Sequence, residues 1–370
     1  MKRVLVIVLD SVGCGHAPDA ADYGDLGADT LGHLFARIPG FGLPHLSTLG
    51  LHRVLGLQRA DRPRDGASWA RLTARSAGKD TTTGHWELMG LVLDEPFATF
   101  TSFPDDLVAE LARRCGTGFI GNHASSGTEI LTRLGARHLA SGMPILYTSA
   151  DSVMQIAAHE EAFGLERLWS ICETARGLLD ERGIRIGRVI ARPFLGTGPS
   201  DFTRTGNRHD YSLTPGETTL NRLQHAGVRT IGVGKISDIF AASGISESHP
   251  TKSNAEGMAA IDRLWDAAPA DPHFIFANLV DFDSLYGHRR DPDGYASCLR
   301  EFDSWLGGFL PKVAAGDLVI ITADHGNDPW HAGTDHTREQ VPLLTLGLPR
   351  PLEDGVFGDV ARLVEEAFAG

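Results

Sequence analysis

A chain of 370 residues exceeds the length at which one hydrophobic core stops growing, which predicts two domains. An apolar content of 42% beside 22% charged residues excludes a disordered chain, and a net charge of -13 opposes binding to nucleic-acid backbones and anionic membranes. The four cysteines, Cys14, Cys115, Cys172 and Cys298, lie far apart with no CxxC pair, so neither a disulfide framework nor a zinc knuckle is indicated.

The chain begins with two basic residues and six apolar ones, VLVIVL, before Asp10. That run is too short for a signal peptide or a span, and no later segment reaches ~18 apolar residues; a cytoplasmic location is expected. Residues 4–9, continuous and β-branched, read as a strand buried on both faces. Next comes GKDTTTGHWELMG, residues 78–90, a Gly-flanked loop of threonines leading into a helix-like stretch. Residues 105–114 pattern as an amphipathic helix, followed by the Gly/Ser-rich GNHASSGTEI and the strand-like PILYTSADS. A helix over 165–179, a strand in IGRVIARPF and the polar RTGNRHDYSLTPGE, which reads as a return linker, come after it. Residues 102–214 are therefore expected to form a smaller α+β cap domain inserted into a core built from 1–101 and 215–370. In the second part of that core, strand-like runs at 230–233, 274–280, 318–321 and 342–346 alternate with helical patterns at 217–225, 257–268, 295–309 and 360–368. The alternation predicts an α/β fold with a doubly wound, largely parallel sheet. The active crevice of such a sheet lies outside the carboxyl ends of its strands.

Three strand ends carry carboxylates: Asp10, the segment DFDSLYGH after 274–280, and TADHGNDPWHAGTDH after the run DLVII. One such Asp is an ordinary turn former, but three on neighbouring parallel strands would meet in one crevice. Carboxylate and imidazole together suit Mn²⁺ or Zn²⁺. Asp10, Asp283, His288, Asp324, His325 and His336 supply six ligands, three for each of two ions, which suits phosphoryl transfer. From the residues alone Asp281 serves as well as Asp283, His331 reads as an exposed loop residue, and Asp328 reads as a turn residue. A hydroxyl among Thr81, Thr82 and Thr83, at a helix N-terminus, could attack phosphorus and become phosphorylated; an N-cap would use the same residues.

TADHG, the strand-terminal Asp10 and a threonine ahead of Gly-His resemble the alkaline phosphatase superfamily. Within it the chain resembles the phosphopentomutase family. The blocks that carry the likeness are VLDSVGCGHAPDAADYGDLGADTLGH, GKDTTTGHWELMG, GTEIL, YTSADSVMQIAAHEE, GRVIARPF, NRHDYS, GKISDIF, NLVDFDSLYGHRRD and TADHGNDPWHAGTDHTRE. They span nearly the whole chain. The resemblance selects Asp283 over Asp281 and implies Asp10, Asp324 and His325 at one metal, with Thr81 coordinated there as nucleophile. Thr81 is chosen because related mutases place the nucleophile four residues before the histidine of this motif, here His85. Asp283, His288 and His336 would hold the other metal. Ser149, Asp151 and Arg188 from the insertion and Lys235 from the core would meet the sugar phosphate, with Arg192, Arg204 and Arg208 as further candidates.

The implied activity is an isomerase that interconverts (deoxy)ribose 1-phosphate and (deoxy)ribose 5-phosphate through a phosphothreonine enzyme and a 1,5-bisphosphate. Implied cofactors are two Mn²⁺ and an activating sugar bisphosphate such as glucose 1,6-bisphosphate or ribose 1,5-bisphosphate; the partners are small-molecule pentose phosphates. A metal-dependent phosphatase or phosphodiesterase would share the core ligands, and a non-catalytic sugar-phosphate sensor would share the fold. The insertion motifs favour the mutase over the former, and the complete ligand set favours it over the latter. Two departures from the family pattern, His123-Ala124 and Trp330, touch no implied ligand.

Overall fold

Short branched apolar runs with no polar face read as central strands, and here they are. In the computed structural model, which describes residues 3–58, 62–149, 152–267, 271–348 and 350–369, strand β1 (Arg3–Leu9) has every residue from Val4 onward buried. The chain continues through β2 (Ala67–Thr73), then β3 (Ile120–Ala124), β4 (Ile145–Thr148), β5 (Val153–His159), β6 (Arg188–Leu195), β7 (Thr203–Arg204) and β8 (His209–Ser212). It returns through β9 (Arg229–Val233), β10 (Glu247–His249), β11 (His273–Leu279), β12 (Leu318–Thr322), β13 (Val341–Leu346) and β14 (Gly355–Val356). Pro96–Thr214 forms one compact unit, and the residues through Glu95 together with those from Pro215 form the other.

The larger unit holds an eight-stranded sheet in the order β10-β9-β11-β1-β12-β13-β2-β14. β1 lies between β11 and β12, parallel to both, and β11 is parallel to β9. The carboxyl ends of β9, β11, β1 and β12 therefore share one edge. β13 runs antiparallel to β12 and to β2, so the sheet is mixed toward that side. β2, sequence ASWARLT, buries alternate residues only; its period-2 pattern marks a strand with one wet face. Helices Thr219–His225, Asn254–Ala267, Pro292–Phe309 and Asp359–Ala369 occupy the connections. Pro292–Phe309 begins as its sequence dictates: the Asp291 side chain accepts the Gly294 N–H, and Pro292 takes a first-turn position where its missing N–H costs nothing.

The smaller unit has a six-stranded sheet, β3-β4-β5-β6-β7 with β8 also on β6. One face buries Leu146, Met154, Ile156 and Val189 against helices Asp105–Cys115 and Leu165–Glu181. The other buries Ile145, Tyr147, Ala157 and Phe194 against Gly127–Ser141. The polar stretch expected to be a linker is instead partly strand: β7 and β8 both pair antiparallel with β6. Its polarity reflects exposure, since β7 and the start of β8 lie on the surface. Among the described residues no helix is long and apolar enough to cross a membrane, and the four cysteines are unpaired.

Candidate metal centre

Parallel register delivers the acidic strand ends to one place. Asp10 follows β1 and Asp324 follows β12 by one intervening residue. The stretch after β11 winds into a π-helical turn, Phe282–Gly287, that carries Asp283 and ends at His288. Such irregular turns recur at functional sites because they re-aim a side chain. Potential ligand atoms of Asp10, Asp324 and His325 lie within 4.8 Å of one another, and so do those of Asp283, His325 and His336. His288 Nε2 stands 3.0 Å from Asp283 Oδ2, and the rings of His288 and His336 are 4.8 Å apart. All six residues expected from the sequence are thus brought together, with His325 within reach of both groups. Asp281 is not among them; its Oδ2 accepts the Asn254 N–H (2.7 Å) at the start of helix Asn254–Ala267.

Supporting bonds aim the imidazoles. His288 Nδ1 contacts Thr334 O at 2.7 Å and His325 Nδ1 contacts Gly326 O at 3.1 Å. With Nδ1–H donating to a carbonyl, each ring presents Nε2 toward the carboxylates, the tautomer a metal requires. Asn278, a polar residue inside the apolar run of β11, donates to Asp10 Oδ2 (3.0 Å), and Asn327 donates to Asp283 Oδ1 (2.7 Å). Among the described residues, the buried atoms Asp10 Oδ1, Asp324 Oδ2 and His336 Nε2 meet only imidazole or carboxylate groups of this cluster and His85: His85 lies 3.1 Å from Asp324 Oδ2, His325 3.4 Å from Asp10 Oδ1 and from Asp324 Oδ2, and His336 3.4 Å from Asp283 Oδ1. Buried oxygen and nitrogen atoms left this way fit a divalent cation of the Mn²⁺ or Zn²⁺ type.

Charge crowding shows in the titration behaviour. Burial, and then the charges of Asp324 and Asp283, push the Asp10 carboxyl well above its usual range. Burial acts the same way on Asp283 and Asp324 but is outweighed: hydrogen bonds from His288 and His336 lower Asp283, and the charges of His325 and His85 lower Asp324. The Asp283 hydrogen bond raises His288 to about 9. A cation would hold these carboxylates ionised and displace the imidazole protons.

Thr81 opens the helix Thr81–Leu88, whose N-cap is Asp80. Its Oγ1 lies 3.2 Å from His325 Nε2. Thr83 faces elsewhere, its N–H and Oγ1 both bound by the Asp80 carboxylate, so the N-cap and the site-facing hydroxyl are different threonines. His85, one turn on from Thr81 and completely buried, contacts Thr81 O (2.9 Å) and Asp324 Oδ2 (3.1 Å) through Nδ1. Lys79 contacts Asp25 (2.9 Å) and Asp335 (3.4 Å), tying the loop before Thr81 to the segment before His336. His331 is not the exposed residue expected: it is half-buried, with Nε2 3.4 Å from Asp25 Oδ1. Asp328 is more than a turn former, because its buried carboxylate binds Asp29 N, His33 Nδ1 and Trp330 N.

The substrate candidates divide between the units. Lys235 is exposed just past β9, on the edge that carries the acidic strand ends. In the smaller unit Ser149 follows β4 and Arg188 begins β6, at the same end of that sheet; Asp151 lies outside the described residues. Arg188 and Arg208 both contact Asp210. Arg192 bonds Gln155 and Arg204 bonds the Tyr147 hydroxyl, neither with a carboxylate partner among the described residues. Burial, then Arg208, lowers the Arg192 pKa.

A sequence model of the metalloenzyme superfamily matches residues 2–364. A phosphopentomutase of Symbiobacterium thermophilum is 51% identical over 361 residues, covering 96% of this chain and 90% of that protein. A phosphopentomutase of Syntrophotalea carbinolica is 52% identical over 346 residues, covering 93% and 87%. The chain belongs to the phosphopentomutase family. It is accordingly an enzyme of a metal-dependent superfamily. The fold likeness extends further: a phosphoglycerate mutase of Leishmania mexicana superposes with a TM-score of 0.50 at 12% identity, covering 98% of this chain and 94% of that one.

The residues that support the ligands were not singled out by their sequence. His85 stands four residues after Thr81, a helical spacing that puts both on one face, and Asn278 interrupts an apolar strand; both signals were present. Ser11, Tyr295 and Glu339, also buried around this centre, carry no local mark.

Proposed function

We propose that the chain is a phosphopentomutase that interconverts (deoxy)ribose 1-phosphate and (deoxy)ribose 5-phosphate through a phosphorylated Thr81. The observation that carries the reading is the Thr81 hydroxyl at a helix N-terminus, 3.2 Å from His325 within the Asp/His cluster. Asp10, Asp324 and His325 would hold one divalent ion, and Asp283, His288 and His336 a second. When bound, such ions offset the charge of a transferring phosphoryl group. The residues do the rest. The Thr81–Leu88 helix directs its positive end toward the anionic phosphoryl group, and Asp80, by fixing the Thr83 N–H, holds the helix start in register. Phospho-Thr81 gives its phosphoryl group to the free hydroxyl of the pentose monophosphate, forming the 1,5-bisphosphate. The bisphosphate turns over and returns its other phosphoryl group to Thr81. Lys235 in the larger unit, and Ser149 and Arg188 in the smaller one, are the candidates for meeting the sugar phosphate, a role for which the planar guanidinium of Arg188 is suited.

The test is isomer exchange: ribose 5-phosphate with Mn²⁺ and a trace of glucose 1,6-bisphosphate should yield ribose 1-phosphate. Thr81→Ala should fold and lose that activity by several orders of magnitude, and mass spectrometry of the wild type should place the phosphate on Thr81. Release of inorganic phosphate without isomer exchange would make the chain a phosphatase, and binding without turnover would make it a sensor. Phosphate on Thr82 or Thr83 would overturn the nucleophile assignment.

A further inference from the structure

Ser11, the residue after Asp10, is fully buried with φ at +73°. This is the left-handed region, which residues with a Cβ occupy at a cost and only where their surroundings over-determine it. The surroundings here are specific. Ser11 N–H donates to Asp324 Oδ1 at 3.1 Å. The Tyr295 hydroxyl donates to Ser11 O at 2.9 Å, which leaves its oxygen to accept from the Ser11 hydroxyl at 3.0 Å. The turn is closed by Val12 N–H on Leu9 O (3.0 Å) and Gly13 N–H on Ser11 O (2.9 Å). Tyr295 is itself completely buried, near the start of the Pro292–Phe309 helix and 284 residues away in sequence.

We infer that the Tyr295 hydroxyl is a positioning group for the metal centre: it locks Ser11 in its left-handed turn and so fixes Asp10 and Asp324 relative to each other. Asp10 is bonded to Ser11 through the chain, and Asp324 is held by the Ser11 N–H. One residue thus couples the ends of two neighbouring strands, and Tyr295 is what grips that residue on both its side chain and its carbonyl. Without the phenol oxygen, the buried Ser11 hydroxyl loses its partner and the backbone is free to relax toward right-handed φ. Either change moves the N–H away from Asp324. The inference rests on the reading of Asp10 and Asp324 as metal ligands. Groups that orient ligands in this way typically govern metal affinity by about 10–100-fold.

The experiment titrates the full-length, metal-stripped chain with Mn²⁺ by calorimetry, with thermal unfolding of the same samples as a check on folding. Tyr295→Phe should bind one ion about tenfold more weakly. Ser11→Gly alone should bind near the wild-type level, because glycine adopts positive φ freely. The double variant Ser11→Gly/Tyr295→Phe should recover most of the loss, since it has neither a strained backbone nor a stranded hydroxyl. A tyrosine that merely fills the core would give no such rescue. Wild-type affinity in Tyr295→Phe, or a double variant as weak as Tyr295→Phe, overturns the inference. Asp324→Asn separates it from its premise. Loss of an ion in Asp324→Asn with none in Tyr295→Phe overturns the positioning role alone, whereas unaltered binding in Asp324→Asn overturns the metal reading and the inference with it.

Discussion

Gly84 lies in the helix that presents Thr81, and the closeness of its approach sets a measurable limit. A Cβ at this position would sit 2.1 Å from Asp324 O and 2.8 Å from both the carbonyl carbon and the Cβ of Asp324. Opening the shortest of these to 3.0 Å, below which real contacts essentially do not occur, needs a shift of about 0.9 Å. The obstacle is main chain just past the fully buried strand β12, so the short helix Thr81–Leu88 is the part that gives way. In Gly84→Ala the Thr81 hydroxyl should therefore move by roughly 1 Å relative to His325, and a misplacement of ~1 Å costs on the order of 100-fold in rate. Stability responds far less. The alanine gains ~1 kcal/mol of helix propensity against ~1–3 kcal/mol of overpacking. The assay is turnover of ribose 5-phosphate beside thermal unfolding. Turnover should fall about 100-fold with the net loss of stability at or below ~2 kcal/mol. Gly177→Ala is the reference, since Gly177 has no atom within 4 Å of its Cβ position in the helix Leu165–Glu181. It should gain ~0.5–1 kcal/mol and leave turnover unchanged. Wild-type turnover in Gly84→Ala would refute the claim that the position of the Thr81 helix against Asp324 governs the rate.

Glu339 is fully buried, accepts from Thr30 N, Thr30 Oγ1 and Thr337 Oγ1, and is raised by burial from 4.5 to about 7. A carboxyl whose folded pKa exceeds its unfolded value stabilises fully below the unfolded value and loses that contribution as pH rises to the folded one. Wild type should therefore lose up to about 3 kcal/mol relative to Glu339→Gln between pH 4.5 and pH 7, then run parallel to it. Denaturant unfolding of both proteins across that range checks the slope, and a pH-independent difference would contradict it. His336→Ala should lose bound metal and turnover, whereas His331→Ala, whose imidazole meets Asp25 rather than the cluster, should lose neither. Metal analysis of the two purified variants decides this, and equal losses would mean that the loop has been misread.

The strands of the larger sheet were legible where their signal is local. The runs 4–9 of β1 and 318–321 of β12 are uninterrupted and apolar, and the run 274–280 at β11 is broken only by Asn278, the pattern of strands covered on both faces. β2 was not legible, because ASWARLT alternates over only seven residues and belongs to the half-buried side of the sheet. The segments β7 and β8 were read as linker because edge strands with exposed residues look like loops in composition.

The site divides along the same line. Its acids and histidines stood out because carboxylates directly after apolar runs are visible in one dimension, as is a threonine cluster before Gly-His. Which member of each cluster meets the others could not be read from the residues. Asp281 and Asp283 are two positions apart, yet the π-helical turn sends one to a helix start and the other to the histidines. Thr83 is taken by Asp80, while Thr81, two residues earlier, faces His325. Tyr295 reaches Ser11 across 284 residues. Periodicity and composition are properties of a short window, whereas these choices depend on strand register and on turn geometry. Both are set by how distant segments pack, so the chemistry was available in the chain order and its arrangement came from the fold.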